Sequence, residues 1–273
     1  MVQAVAILAR ILVALSALAL LSFPARAADL SARDVAARLV AATAARPLDL
    51  AGHDLTRLDL SGLDFKAARL SGANLFGADL SGANLAGADL SRALLDRITM
   101  VSARFDRADL TEASLLRPSG SAHLVGAPDE AATFTGARLV RAKVFGRFHR
   151  ADLTGADLTD ATLAPFGRTG FIEHIWRTEF LAARLDGARL VRADLGHVLF
   201  AFATLKGADL SGARLVDADL TGADLTGADL SGADLTNADL TGADLSGARL
   251  TGVVGLDKAR GWDKARNTAA AVR

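Results

Sequence analysis

Three sets of residues in this chain have types and spacings that could do chemistry. The first is acidic. Asp219, Asp224, Asp239 and Asp244 occupy near-identical settings, and between Gly207 and Ser246 the only base is Arg214. Such a density of carboxylates suits cations or a basic partner. The second is basic: "ARLVRAKVFGRFHR" carries Arg138, Arg141, Lys143, Arg147 and Arg150 with no acid among them. That pattern suits anionic lipid or a cell-wall polymer. The third is "FIEHIWRTE", where Phe171, His174 and Trp176 cluster in a chain only 5% aromatic. Exposed aromatics on such a background mark a contact site.

None of these sets makes a catalyst. Glu173, His174 and Glu179 are mixed ligands without the spacing of a metal site. His53, His123, His149, His174 and His197 are dispersed. There is no nucleophile elbow, phosphate loop or zinc signature, and with no cysteine there is no disulfide framework or thiolate site. The expectation is a protein that is not an enzyme and carries no cofactor or metal. The formal charge is zero, so the balance of charge does not argue for nucleic acid.

What must position these residues is a five-residue period. "ADLTGADLTGADLSGADLTNADL" runs from Ala218 to Leu240. On a helix, five steps of about 100° carry successive leucines round the whole cylinder. On one continuous strand an odd period sends Leu220, Leu225 and Leu230 to alternating faces. A cornered coil gathers them on one side. Ala and Leu point inward from a very short strand, Asp points out between them, and Thr-Gly turns the corner, where Gly222, Gly227 and Gly232 tolerate a positive φ. The chain is a solenoid, apolar within and polar without.

The repeat occupies 48–252. Large inward residues recur from Leu50 through Phe65, Met100 and Phe105 to Leu115, with a small residue two before most of them. His53, Leu58 and Leu63 take the small slot at the start, as terminal repeats tend to be irregular. The frame then slips. Leu124, Phe134, Leu139 and Val144 follow a register one residue short, and Phe148, Leu153, Leu158 and Leu163 one shorter again. Phe180 restores the phase through to Leu250. The breaks make 116–131, 145–150 and 164–179 irregular, read as bulges or loops.

The ends differ from the repeat. Residues 1–27 read as a signal peptide: Arg10, an apolar core from Ile11 to Phe23, then Ala25-Arg26-Ala27 as the cleavage site. Cleavage after Ala27 would leave no membrane span and place the protein in the periplasm or outside the cell. Residues 28–47 predict a capping helix, with Ser31 and Asp34 as its capping box and Val35, Leu39 and Val40 as its apolar face. Residues 253–273 leave the period of five, and Leu256, Ala259, Trp262 and Ala265 predict an amphipathic helical cap.

The A-(D/N/R)-L-(S/T)-G pattern resembles the pentapeptide-repeat family over most of 48–252. The resemblance implies an all-β fold, a right-handed four-sided parallel β-helix with one pentapeptide per side. Residues twenty apart would then stack, Asp219 under Asp239 and Asp224 under Asp244. It also implies a non-catalytic role in macromolecular interaction. Well-known members imitate duplex DNA and bind gyrase; that reading applies here only if the chain is not exported. The expected function is an exported scaffold of the cell envelope, whose partner is an unknown protein or envelope polymer rather than nucleic acid. The alternative is an envelope-surface binder using the basic segment. An uncovered terminal coil would favour an end-to-end homodimer.

Overall fold

The computed structural model describes residues 29–43, 45–120, 128–165 and 177–272. The chain begins with α1, Ala32–Ala41, whose start is set by reciprocal bonds. Ser31 Oγ accepts from the Asp34 N–H at 3.2 Å, and Asp34 Oδ2 accepts from the Ser31 N–H at 3.0 Å. Val35 and Leu39 are buried, but Val40 is 82% exposed. The expected apolar face is thus narrower by one residue: Val40 lies a further 100° round the helix from Leu39, outside the stripe that meets the coil. Lys66 reaches back to close the helix, its Nζ donating to the carbonyls of Leu39 and Ala42 at 2.9 and 3.1 Å. Among the described residues no helix is long and apolar enough to cross a membrane.

From Leu48 the chain winds as a parallel coil with four sides, each side a column of bridged residues. The first column runs Asp49, Arg69, Asp89, Asp109, Arg138, Asp157, Arg189, Asp209, Asp229, Arg249, Val272. The second runs from Asp54 through Ser114, Lys143, Asp194 and Arg214 to Val254. The third holds Asp59, Asp79, Thr99 and Ser119, then Arg147, Glu179, Leu199, Asp219, Asp239 and Arg260. The fourth runs from Asp64 through Arg104, Thr133, Asp152, Arg184, Asp224 and Asp244 to Arg266. Most sides are too short to hold more than one bridged residue. Two three-residue strands stand out, β1 (Ser114–Leu116) and β2 (Lys143–Phe145), paired in parallel.

Each corner is a tight turn. The N–H of the small inward residue donates back to the carbonyl of the preceding large one, as Ala223 does to Leu220 at 3.0 Å. The residue before it is left-handed, Gly222 with φ 65°, where glycine has no Cβ penalty. The core is two kinds of side chain repeated: the inward leucines from Leu50 to Leu245 and the alanines beside them are essentially inaccessible. Each buried leucine contributes about 1.5–3 kcal/mol.

The slips expected in the middle are changes in the length of one turn. Partners twenty residues apart give way to partners twenty-nine apart at Arg104–Thr133 and thirty-two apart at Arg147–Glu179, with Thr133–Asp152 one short of twenty between them. Inward phenylalanines cross these breaks in contact, stacked except where Phe148 meets Phe134 edge to face at 6.3 Å. Phe105 lies on Phe134 with centroids 4.8 Å apart, Phe148 on Phe180 at 5.3 Å, and Phe180 on Phe200 at 5.4 Å. Aromatic rings pack favourably both offset-stacked and edge to face, so they bridge coils of unequal length.

The C-terminal tail departs from the expected amphipathic α-helix. It remains in the coil and lengthens each side from five residues to six, so that Val254, Arg260, Arg266 and Val272 continue the four columns. Its helical parts are two short 3₁₀ turns, Trp262–Lys264 and Thr268–Ala270. The cause is a second repeat, "GLDKAR" then "GWDKAR", in which Gly255, Gly261 and Asn267 are left-handed corners six residues apart. A left-handed residue every six positions breaks an α-helix but turns a coil.

Candidate functional site

The four candidate aspartates lie on two adjoining sides, Asp219 and Asp239 on the third, Asp224 and Asp244 on the fourth. The expected stacking holds: Asp219 bridges Asp239 and Asp224 bridges Asp244. Their carboxylates, however, are occupied locally. Asp224 Oδ1 accepts from the Thr226 N–H at 3.1 Å and from its hydroxyl at 2.6 Å. Asp244 does the same with Ser246 at 3.0 and 2.7 Å. Asp219 and Asp239 accept from the N–H groups of Thr221 and Thr241 at 2.9 and 3.0 Å. These are Asx turns, and they explain why aspartate recurs in the outward slot: it fixes the corner that follows.

Cations then lie beside three of the four. Lys206 lies 3.3 Å from Asp224, and the tail lays Arg260 and Arg266 over Asp239 and Asp244 at 3.9 and 3.7 Å. Asn267 Nδ2 adds a bond to Asp244 Oδ1 at 2.9 Å. With Asn267 first, then Ser246 and the Arg266 charge, the Asp244 carboxyl is held down from 3.8 to about 2. Asp239 is also lowered, its bonds to Thr241 and the nearby Arg260 and Lys264 outweighing burial, which acts first and upward.

A pH dependence follows from the sign of that shift. A folded-state pKa below the unfolded value adds stability that is complete above about pH 4 and disappears as pH falls toward 2. The contact of the tail with Asp244 is therefore expected to weaken over this window. Trp262 emission, recorded in a Trp176→Phe background, should shift red in that window. The Asp244→Asn variant should lose the step. An unchanged profile in that variant would place the linkage elsewhere.

The basic segment does not form one patch. Arg138 is on the first side, Lys143 on the second and Arg147 on the third. Arg141 and Arg150 sit at left-handed corners, φ 55° and 58°. Five residues of chain turn one corner, so a run of bases in sequence is wrapped round the rod. Three are also matched with acids: Arg138 with Asp109 at 3.7 Å, Arg141 with Glu112 at 2.6 Å, and Arg147 with Glu179 at 3.6 Å. Phe171, His174 and Trp176, with Glu173, lie outside the described residues. Glu179 is a wall residue whose Oε2 is 2.6 Å from His149 Nε2.

Two features were not anticipated. One is Phe202, a left-handed corner residue 63% exposed, whose ring covers Gly222: a Cβ there would stand 2.8 Å from the ring. The other is a cleft of about 240 Å³ beside the break between Ser119 and Arg147, lined by Arg117, Arg147, Arg177 and Glu179 together with Pro118, Phe145 and Gly146. The sequence signals were available, an aromatic in a corner slot and arginines flanking each frame slip, but neither says what lies beside it in space.

Comparison with known proteins agrees with this geometry. The model of pentapeptide repeats matches residues 48–77, 78–115, 178–215 and 213–252, in eight copies. Among solved structures the chain is similar to HetL, a pentapeptide repeat protein involved in heterocyst differentiation regulation from the cyanobacterium Nostoc. The identity is 27%, over 89% of this chain and 100% of that one, with a TM-score of 0.40. It is similar to QnrB1, a plasmid-mediated fluoroquinolone resistance protein, at 18% identity over 70% and 91% of the two chains, TM-score 0.33. A third is the pentapeptide repeat protein Rfr23 of the cyanobacterium Cyanothece, 27% identical over 46% and 90%, TM-score 0.26. No curated protein matches the chain.

Proposed function

Because the chain belongs to the pentapeptide-repeat family, we propose that it is an exported, non-catalytic scaffold that presents a rigid outer surface to another macromolecule of the cell envelope. The observation that carries this reading is the division of labour along the coil. Inward positions are apolar and inaccessible, while outward aspartates are tied to their own corners and, several of them, to cations of the neighbouring coil. Outward side chains so held lose little further freedom when a partner binds, which favours a stable contact surface.

The same bonds argue against acid–base catalysis. The aspartates with shifted pKa among the described residues are shifted down, whereas a general acid at neutral pH needs a raised one. Export rests on the sequence of residues 1–27, where an apolar core from Ile11 to Phe23 precedes Ala25-Arg26-Ala27; the described fold begins just after. Asp29 already pairs with the first coil, its N–H donating to the Asp54 carbonyl at 2.8 Å and its carboxylate accepting from the Asp54 N–H at 3.0 Å.

Cell fractionation and N-terminal sequencing of the native protein test this. The expected result is a chain beginning at Ala28 in the envelope fraction. A full-length chain in the cytoplasm would overturn export and direct the acidic third and fourth sides to a gyrase supercoiling assay.

A further inference from the structure

One flat side of the rod is complementary to itself. The second column crosses ten coils from Asp54 to Val254, with its midpoint between Lys143 and Thr162. A two-fold axis through that midpoint, lying in the plane of the side and across the rod, lays the side on that of a second copy running the other way. The first coil then faces the tenth, the second the ninth, and every contact occurs twice.

In that register charges match along both edges of the side. On the edge before it, the left-handed corners Glu112, Arg141, Asp160 and Arg192 occupy consecutive coils. Within one chain Arg141 meets Glu112 at 2.6 Å and Arg192 meets Asp160 at 2.7 Å. Across the axis Arg141 would face Asp160 and Glu112 would face Arg192, extending both pairs into one alternating network. On the far edge Arg57 would face Asp257 and Arg97 would face Asp217. Arg57, Arg97 and Asp257 make no ion pair among the described residues. Arg97 rests on the Phe76 ring at 5.9 Å, and Asp217 has His197 at 3.9 Å. Among the described residues of this face no acid opposes an acid, and no arginine or lysine opposes another.

The other sides do not combine these properties. The same operation sets Asp89 against Asp209 on the first column and Asp79 against Asp239 on the third, and like charges so placed repel. The fourth column escapes that clash but carries no exposed large apolar residue, whereas Leu94 and Val254 stand exposed in the second. A second copy would take both out of water.

We propose that two copies of this chain associate side by side and antiparallel through the second side, not end to end. The contact goes beyond the scaffold reading and does not depend on it, because it needs only another copy of the chain.

Sedimentation equilibrium of the purified chain tests this, with charge reversals as the probe. Arg97→Asp and Asp217→Arg are each expected to weaken the dimer at least about tenfold, since each sets like charges opposite at two symmetric places. The two changes in one chain restore the attraction and should recover the parent dimer. Melting curves of the three variants separate dissociation from unfolding. A second readout uses the absence of cysteine. Asn74→Cys and Asp234→Cys in one chain lie seven coils, about 34 Å, apart on the same column, yet face each other between copies. A bis-maleimide spanning about 10 Å, the separation of packed sheets, should link the double variant into dimers and neither single variant. A monomer at every concentration overturns the proposal. So does a dimer that neither reversal weakens, a loss that the combined reversal does not recover, or a double-cysteine variant that stays unlinked.

Discussion

Leu225→Asp is expected to destabilise the rod by about 4–5 kcal/mol, whereas Asp224→Ala, one residue away, costs about 1 kcal/mol. Leu225 is wholly inaccessible and stacked between the coils of Leu205 and Leu245. A carboxylate in that slot loses water and gains no partner, because its surroundings are other leucines and alanines. Asp224 loses its two bonds to Thr226 and its contact with Lys206, but the corner is still closed by the backbone bond from Ala228 to Leu225 at 2.9 Å. Stability in such arrays is local and carried by neighbouring coils. Leu225→Asp should therefore open amide exchange from the coil of Leu205 to that of Leu245 well before the N-terminal half. Thermal melts give the global comparison. Equal midpoints for the two variants would refute the inward and outward assignment.

Gly261→Ala has the second large effect, and it is confined to the end of the rod. A Cβ at Gly261 would lie 2.7 Å from the Thr241 backbone nitrogen and 2.8 Å from its Cα, contacts that a side-chain rotation cannot relieve. Left-handed strain at φ 67° adds to this. Together they cost about 3 kcal/mol, enough to lift the hexad coil off Asp239 and Asp244 and remove Arg260 and Arg266 from them. Gly227 is the control: it is equally left-handed, but nothing lies within 4 Å of its added Cβ, so Gly227→Ala should cost about 1 kcal/mol. Limited trypsin digestion after Lys264 and Arg266 measures the difference. Tails cut at the same rate in both variants would show that close packing on Thr241 does not hold the cap.

Several parts of the molecule were legible as one-dimensional signals. The capping box of α1 was, because Ser31 and Asp34 need only each other. So were the phases of Phe134, Phe148 and Phe180, because an inward slot demands an apolar side chain whatever coil it belongs to. Val40 falls outside the buried face, since a helical stripe of three residues does not say how wide the surface beneath it is. The hexads of the tail were readable in principle, but a period of six in so short a stretch also fits an amphipathic helix, and only the left-handed geometry of Gly255, Gly261 and Asn267 decides between them. The basic segment reads as a patch only while neighbours in sequence count as neighbours in space. At five residues per side they are turned apart.

The sequence by itself determined the inside and the outside of this protein. Burial is a property of each position, and a five-residue period with alanine and leucine two apart states it unit by unit. Which residues share a surface was decided only by the tertiary structure. A column collects one residue from every turn, so its content depends on the number of sides and on the length of each interrupted turn. Around the breaks nineteen, twenty, twenty-nine or thirty-two residues separate partners, according to what each turn holds. The pairing of Arg260 with Asp239, the dispersal of the bases and the cleft of three arginines all follow from those non-local lengths.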